Sequence, residues 1–148
     1  MQQLTYVLRF TGHAVPGGMV GNVLRAASTA PSAILTTWVH STGLTSQFTA
    51  LDGQEAIFTS DVTFTGETDF QEVGHIKFGD GNLVYFSTVG SGYLAPSADP
   101  TCRHGMVMWQ IDRGEGQFMG ATGLITSNFT VNESLEITHH HVGVLFLP

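Results

Sequence analysis

The chain has 148 residues, enough for one domain that buries roughly two-thirds of its unfolded surface without disulfide or metal staples. Its formal net charge is −7, and its five basic residues, Arg9, Arg25, Lys77, Arg103 and Arg113, are scattered; without a basic stripe, a nucleic-acid partner is excluded. Cys102 is the single cysteine, so no intrachain disulfide forms, and no apolar run approaches the ~20 residues of a membrane span.

Charged residues make up 11%, against roughly 25% in typical domains, while glycine, threonine and aromatic residues are plentiful. This favours strands and turns, and it leaves uncharged surface that a homo-oligomer covers. The N-terminus lacks the basic-then-apolar pattern of a secretory signal, which with the lone cysteine sets the expectation of a cytoplasmic protein.

In chain order, Leu4, Tyr6, Leu8 and Phe10 alternate with Thr5, Arg9 and Thr11, the period of a half-buried strand. His13 to Gly21 reads as a loop, and Asn22 to Ala30, closed by Pro31, fits either a short helical turn or an arm, so the conformation of 14–31 stays open. Ser32 to His40 and Leu44 to Leu51 read as strands, the first with Ile34, Thr36, Trp38 and His40 on one face. Ala56 to Thr65 alternates most cleanly, with Phe58, Val62 and Phe64 in phase.

Asp69 to Phe78 follows, with Phe70, Glu72, Gly74, Ile76 and Phe78 in phase. Asp80-Gly81 is a strong signal for a two-residue turn, which would pair Phe78 with Leu83 and place Tyr85 and Ser87 on the face of Glu72. Tyr93 to Arg103, with Pro96 and Pro100, reads as a long loop. In the strand His104 to Asp112 either face can point inward: Val107, Trp109 and Ile111, or His104, Met106, Met108 and Gln110. After a glycine-rich corner, Ala121 to Val131 alternates again, and a short loop at Asn132 to Ser134 returns the chain into Leu135 to Leu147.

Eight or nine strands in succession, with short loops and no amphipathic helix, predict an all-β fold over residues 1–148 as a single domain. The expected form is a closed antiparallel meander barrel of about eight strands, with a sandwich as the alternative. The corner Gly114-Glu115-Gly116-Gln117-Phe118-Met119-Gly120-Ala121-Thr122-Gly123 is similar to the Gly-x-Gly-x-Phe-x-x-Ala-x-Gly signature of allene oxide cyclases and dirigent proteins. It also resembles a bacterial set of unknown function near that fold. The resemblance covers Trp109 to Phe129 and implies an allene oxide cyclase-like barrel whose lumen, in those relatives, holds a hydrophobic small molecule. Gly114, Gly116, Phe118, Ala121 and Gly123 carry over as structural residues; no catalytic residue does.

Chemistry is suggested by polar residues in apolar phase: Glu72 between Phe70 and Ile76, and His139 and His141 between Ile137 and Leu145. A buried carboxylate or imidazole is costly unless paired, so these groups are expected to meet one another, water or a ligand, or to form a satisfied internal network. The candidate ligand-binding set is Glu72, Tyr85, Ser87, His139, His141, Trp38 and His40. His139-x-His141 also has a spacing that chelates a metal when Glu72 supplies a third ligand, although His140 then faces away and the rest of the cupin His-x-His pattern is absent. No cofactor is called for. Cys102 beside His104 reads as incidental, and Met106, Met108 and Trp109 as lining or subunit contact. The resulting expectation is a barrel binding a small, largely apolar molecule; an isomerase or cyclase using Glu72 or the histidines, and a plain structural module, are the alternatives.

Overall fold

The computed structural model describes residues 1–17 and 21–148. The strands are β1 (Gln2–Pro16), β2 (Val23–Ala30), β3 (Ala33–His40), β4 (Gly43–Ala50), β5 (Ala56–Phe64), β6 (Asp69–Phe78), β7 (Leu83–Thr88), β8 (Gly92–Pro96), β9 (Cys102–Glu115), β10 (Thr122–Asn132) and β11 (Glu136–Leu147). Strands β10, β11, β1, β2, β5, β6, β7 and β9 pair in that order, and β9 returns to β10, closing an eight-stranded antiparallel barrel. Closure leaves no long edge exposed. The short β8 occupies the gap beyond the end of β7, pairing with β6 on one side and β9 on the other. Among the described residues, no helix is long and apolar enough to cross a membrane.

Inward positions follow the two-residue period, and they settle the orientation of β9: Val107, Trp109 and Ile111 are buried, while His104, Met106 and Gln110 face outward. The middle of the lumen is filled by aromatic rings. Phe58 stacks on Phe86 at 5.6 Å between ring centroids, Phe86 meets Trp109 at 4.4 Å, and Phe10 closes on Phe58 at 5.9 Å. The glycine corner packs against one end. Gly116–Phe118 form a 3-10 turn that buries Phe118 against Phe78, and Gln117 donates its backbone N–H to Asn82 Oδ1 at 2.9 Å. Gly116 has φ +63°, and a Cβ there would overlap the Gly81 carbonyl oxygen, so both its conformation and its packing require glycine.

Three expectations are corrected and one open segment is resolved. The loop predicted from His13 is strand through Pro16, pairing with Leu24–Ala27; its residues 18–20 lie outside the described residues. The segment at 22–30, open in the sequence, is β2: its inward residues Ala26, Ser28 and Ala30 are small, and alanine on both faces leaves no hydrophobic period to detect. The predicted loop 93–103 contains β8, which buries Leu94 and ends at Pro96. The strands over Ser32–His40 and Leu44–Leu51 exist as β3 and β4 but are not barrel staves. They form a separate hairpin, inserted where β2 and β5 pair directly at Ala30 and Ala56.

The β6–β7 register is also one residue from the expected one. Phe78 N–H donates to Asn82 O at 2.8 Å and Lys77 pairs with Leu83, so the connection is the three-residue Gly79-Asp80-Gly81. Both glycines have positive φ, +76° and +77°, which lets Gly79 join the turn. A one-residue slip exchanges the two faces of a strand. Val84 and Phe86 are therefore inside, and Tyr85 and Ser87 are not on the face of Glu72.

Candidate functional site

One half of the lumen is open. A cavity of about 300 Å³ enters it, walled by apolar side chains including Leu24, Val62, Phe64, Phe70, Phe129 and Ile137. Its buried floor is made by Phe58, Glu72, Trp109, Ser127 and His139, and Arg103, Asn132 and Glu133 belong to its rim. A cleft of about 410 Å³ at the opposite end is lined by Leu8, Ala30, Ala56 and Phe78 together with turn residues such as Gln54 and Asp80, and none of the buried polar side chains reaches it.

Strand β6 places Glu72 on the floor because its inward phase is Phe70, Glu72, Ile76. The backbone at that point is held by a side chain: Thr88 Oγ1 accepts from the Glu72 N–H at 2.7 Å and donates to the Glu72 carbonyl at 2.9 Å. Ser60, from the neighbouring β5, donates its hydroxyl to Glu72 Oε2 at 2.6 Å. Burial pushes the carboxyl up to about 7, partly opposed by the Ser60 hydrogen bond and by the approach of the Trp109 indole N–H. Glu72 is thus divided between its acid and its carboxylate at neutral pH.

His139 and His141 share one face of β11 and form a chain with Ser28 of β2. His139 Nε2 lies 2.7 Å from Ser28 Oγ, and His139 Nδ1 lies 2.7 Å from His141 Nε2. The rings are packed by Phe10, Phe58 and Trp109, with Phe10 only 4.3 Å from His141. Burial lowers His139 to about 3 and also lowers His141, so both imidazoles are neutral. Neutral rings fit this chain, since each inter-ring bond needs one donor and one bare nitrogen.

Two buried polar atoms around the floor, Ser127 Oγ and His141 Nδ1, have no hydrogen-bond partner, and Trp109 Nε1, although it leans toward the Glu72 carboxyl, makes no well-formed hydrogen bond to it. Ser127 stands directly across from His141 in the β10–β11 register, and Trp109 and Ser127 both line the cavity. Buried polar groups are rarely left unsatisfied, so this cluster marks where a further polar group belongs. The sequence marks Trp109 only as lining or subunit contact and Ser127 not at all: serine in a strand is unremarkable, and either face of β9 can point inward.

Of the predicted ligand-binding set, the structure brings Glu72 and His139 to the cavity, with His141 directly behind His139. It places the other four elsewhere. Tyr85 lies outside the barrel, its ring 3.5 Å beneath the Arg113 guanidinium, and the Ser87 hydroxyl donates to Asp112 Oδ1 at 2.9 Å. Trp38 and His40 are on the β3–β4 hairpin, with His40 beside Thr45. The metal set of His139, His141 and Glu72 does not assemble. Both nitrogens of His139 are engaged, and no group of three His, Cys, Asp or Glu is positioned to hold an ion among the described residues.

No family model matches the chain, and no curated protein matches it. A solved structure, that of the pterocarpan synthase dirigent protein GePTS1, is similar over 98% of this chain and 86% of its own, with a TM-score of 0.50 and 15% sequence identity. At that identity the likeness shows the fold: the chain has the barrel of a dirigent protein. It agrees with the resemblance at the glycine corner, whose role in the structure is packing at one end of the barrel.

Proposed function

We propose that the barrel binds a small, largely apolar molecule in its open half, with an oxygen of that molecule set against Glu72 and Trp109. The observation that carries this reading is the pairing of an apolar cavity of about 300 Å³ with unsatisfied polar atoms on its floor. Such a cavity is at the lower end of the size range of ligand sites, and a few polar groups among apolar walls are the usual means of orienting a ligand. The indole N–H only donates, and Glu72 donates when protonated, so the two together suit a hydroxyl, ether or carbonyl oxygen.

Native mass spectrometry of freshly purified protein, before and after mild denaturation, tests this directly. A retained organic mass released on unfolding is expected. Ala26→Phe, which fills the cavity from β2, is expected to abolish uptake of a fluorescent apolar probe; uptake unchanged by that substitution would remove the lumen as the site.

A second reading is favoured by one observation, the rise of Glu72 to about 7. A carboxyl with that pKa delivers and recovers a proton at neutral pH, which is what an isomerase or cyclase acting on an oxygenated apolar substrate requires. The structural neighbour is a synthase by name, but the present chain shares its fold and not a demonstrated site, so this reading rests on Glu72 alone. Glu72→Gln separates the two. Turnover lost with binding retained supports the enzyme, and turnover unchanged rejects this acid.

A further inference from the structure

The β3–β4 hairpin has no role in the barrel or the cavity. Residues 32–51 include no Asp, Glu, Lys or Arg, a run of twenty uncharged positions in a chain of net charge −7. Apolar side chains lie on both of its faces. In the register of the pair, Leu35 opposes Phe48 and Val39 opposes Leu44 on one face, while Ile34 and Trp38 lie on the other. Only the root is anchored: the Arg9 guanidinium sits 4.3 Å above the Phe48 ring. Toward the tip, Val39 is 84% and Leu44 69% exposed. An isolated two-stranded hairpin is marginal in water, so this one needs a surface to lie on.

The same chain presents a matching surface. On the outside of the barrel, Met108 pairs with Thr126, Thr126 with Val142 and Val142 with Val7, a row across β9, β10, β11 and β1. The next row is Gln110, Leu124, Val144 and Thr5, and beyond it lie Thr122, Phe146 and Gln3. None of these residues is charged, the exposed Asp112 standing at the edge of the face beyond Gln110, and Val7, Leu124, Val142 and Phe146 are exposed. Arg9, on which the hairpin's root rests, stands at the corner of this face, so the arm and the face are continuous on one molecule.

We propose that the hairpin is an association arm, and that it docks on the uncharged β9–β10–β11–β1 face of a second copy of this chain. An ionic partner has nothing to pair with on the arm. Acidic copies would otherwise repel, and both surfaces lack the charge that would oppose contact. A lipid bilayer suits the arm less well, because its strands have eight residues each, short of the 9–11 that cross one. Two copies exchanging arms about a two-fold axis make the contact twice. Each arm is about 26 Å long at ~3.3 Å per residue. Each partner then buries one arm and one face.

The test is sedimentation velocity with native mass spectrometry on the full chain and two variants. Val39→Lys with Leu44→Glu places opposite charges across the hairpin pair and preserves its fold while charging the tip; Val142→Lys charges the face. The wild type is expected to be a dimer or larger, and each variant a monomer with an unchanged circular dichroism spectrum. Mixing the arm variant with the face variant is expected to give a mixed complex, since one intact arm then meets one intact face. A monomeric wild type, or an arm variant that keeps the wild-type size, overturns the proposal. So does wild-type protein that stays monomeric and co-sediments with neutral phosphatidylcholine vesicles, which would make the arm a lipid contact.

Discussion

At the scale of single residues, the molecule combines one carboxyl that holds its proton too long with two imidazoles that release theirs too early. Glu72 has an ordinary value of 4.5 and a folded value of about 7. Between those values the folded state binds more protons than the unfolded chain, so stability falls as pH rises, by about 3 kcal/mol in total at 1.36 kcal/mol per unit. Urea titrations should therefore show Glu72→Gln matching the wild type near pH 4 and exceeding it progressively up to pH 8; a difference independent of pH would mean that Glu72 is not the buried acid. The histidines act in the opposite sense. Their folded values are depressed, so their contribution is complete above about 6.5 and is lost as pH falls toward 3. Removing Ser28 leaves His139 Nε2 buried without a partner, and Ser28→Ala is expected to cost 1–3 kcal/mol by the same titration, a range of about that size being usual for such a group. Glu72, His139 and His141 were legible because a polar residue in an apolar phase is visible in sequence. Trp109 and Ser127 were not, because what marks them is the absence of a partner in three dimensions.

At the scale of elements, strands with apolar alternation were legible and strands of small residues were not. β5 and β6 announce themselves through Phe58, Val62, Phe70 and Ile76, whereas β2 turns Ala26, Ser28 and Ala30 inward and reads as nothing in particular. Turn chemistry was located correctly at Asp80-Gly81, but the participation of Gly79 moved the register by one and carried Tyr85 and Ser87 to the outside. The hairpin escaped recognition because its alternation is that of any strand; nothing in the periodicity says that β2 and β5 pair without it. That pairing makes a prediction. Replacing Pro31–Glu55 by Asn-Gly joins Ala30 to Ala56 through a two-residue turn suited to an antiparallel pair. The shortened chain is expected to keep its cooperative unfolding and its cavity, because the arm contributes no residue to the buried core or to the cavity lining. Loss of cooperative unfolding would show that the arm is part of the barrel's own stability.

At the scale of the whole molecule, the barrel divides into a filled middle and an open half, and the division explains why the polar groups lie where they do. Aromatic rings fill the middle of the lumen and the glycine corner packs against one end, and the boundary of that packing toward the open half is the plane of Glu72, Trp109, Ser127 and His139. A cavity at such a boundary loses apolar contacts that a ligand restores, while its floor offers hydrogen bonds that no side chain completes. Binding to the folded state alone stabilises it by RT ln(1 + [L]/Kd), about 2.7 kcal/mol at a hundredfold excess over Kd. Thermal unfolding of the wild type should therefore rise with added ligand in proportion to the logarithm of its concentration. Ala26→Phe should behave differently in two respects at once. Filling open space with apolar surface raises the stability of the unliganded protein, and occupying the site removes the ligand-dependent rise. A variant that is destabilised yet still shifted by ligand would mean that the space beside Ala26 is not where the molecule sits.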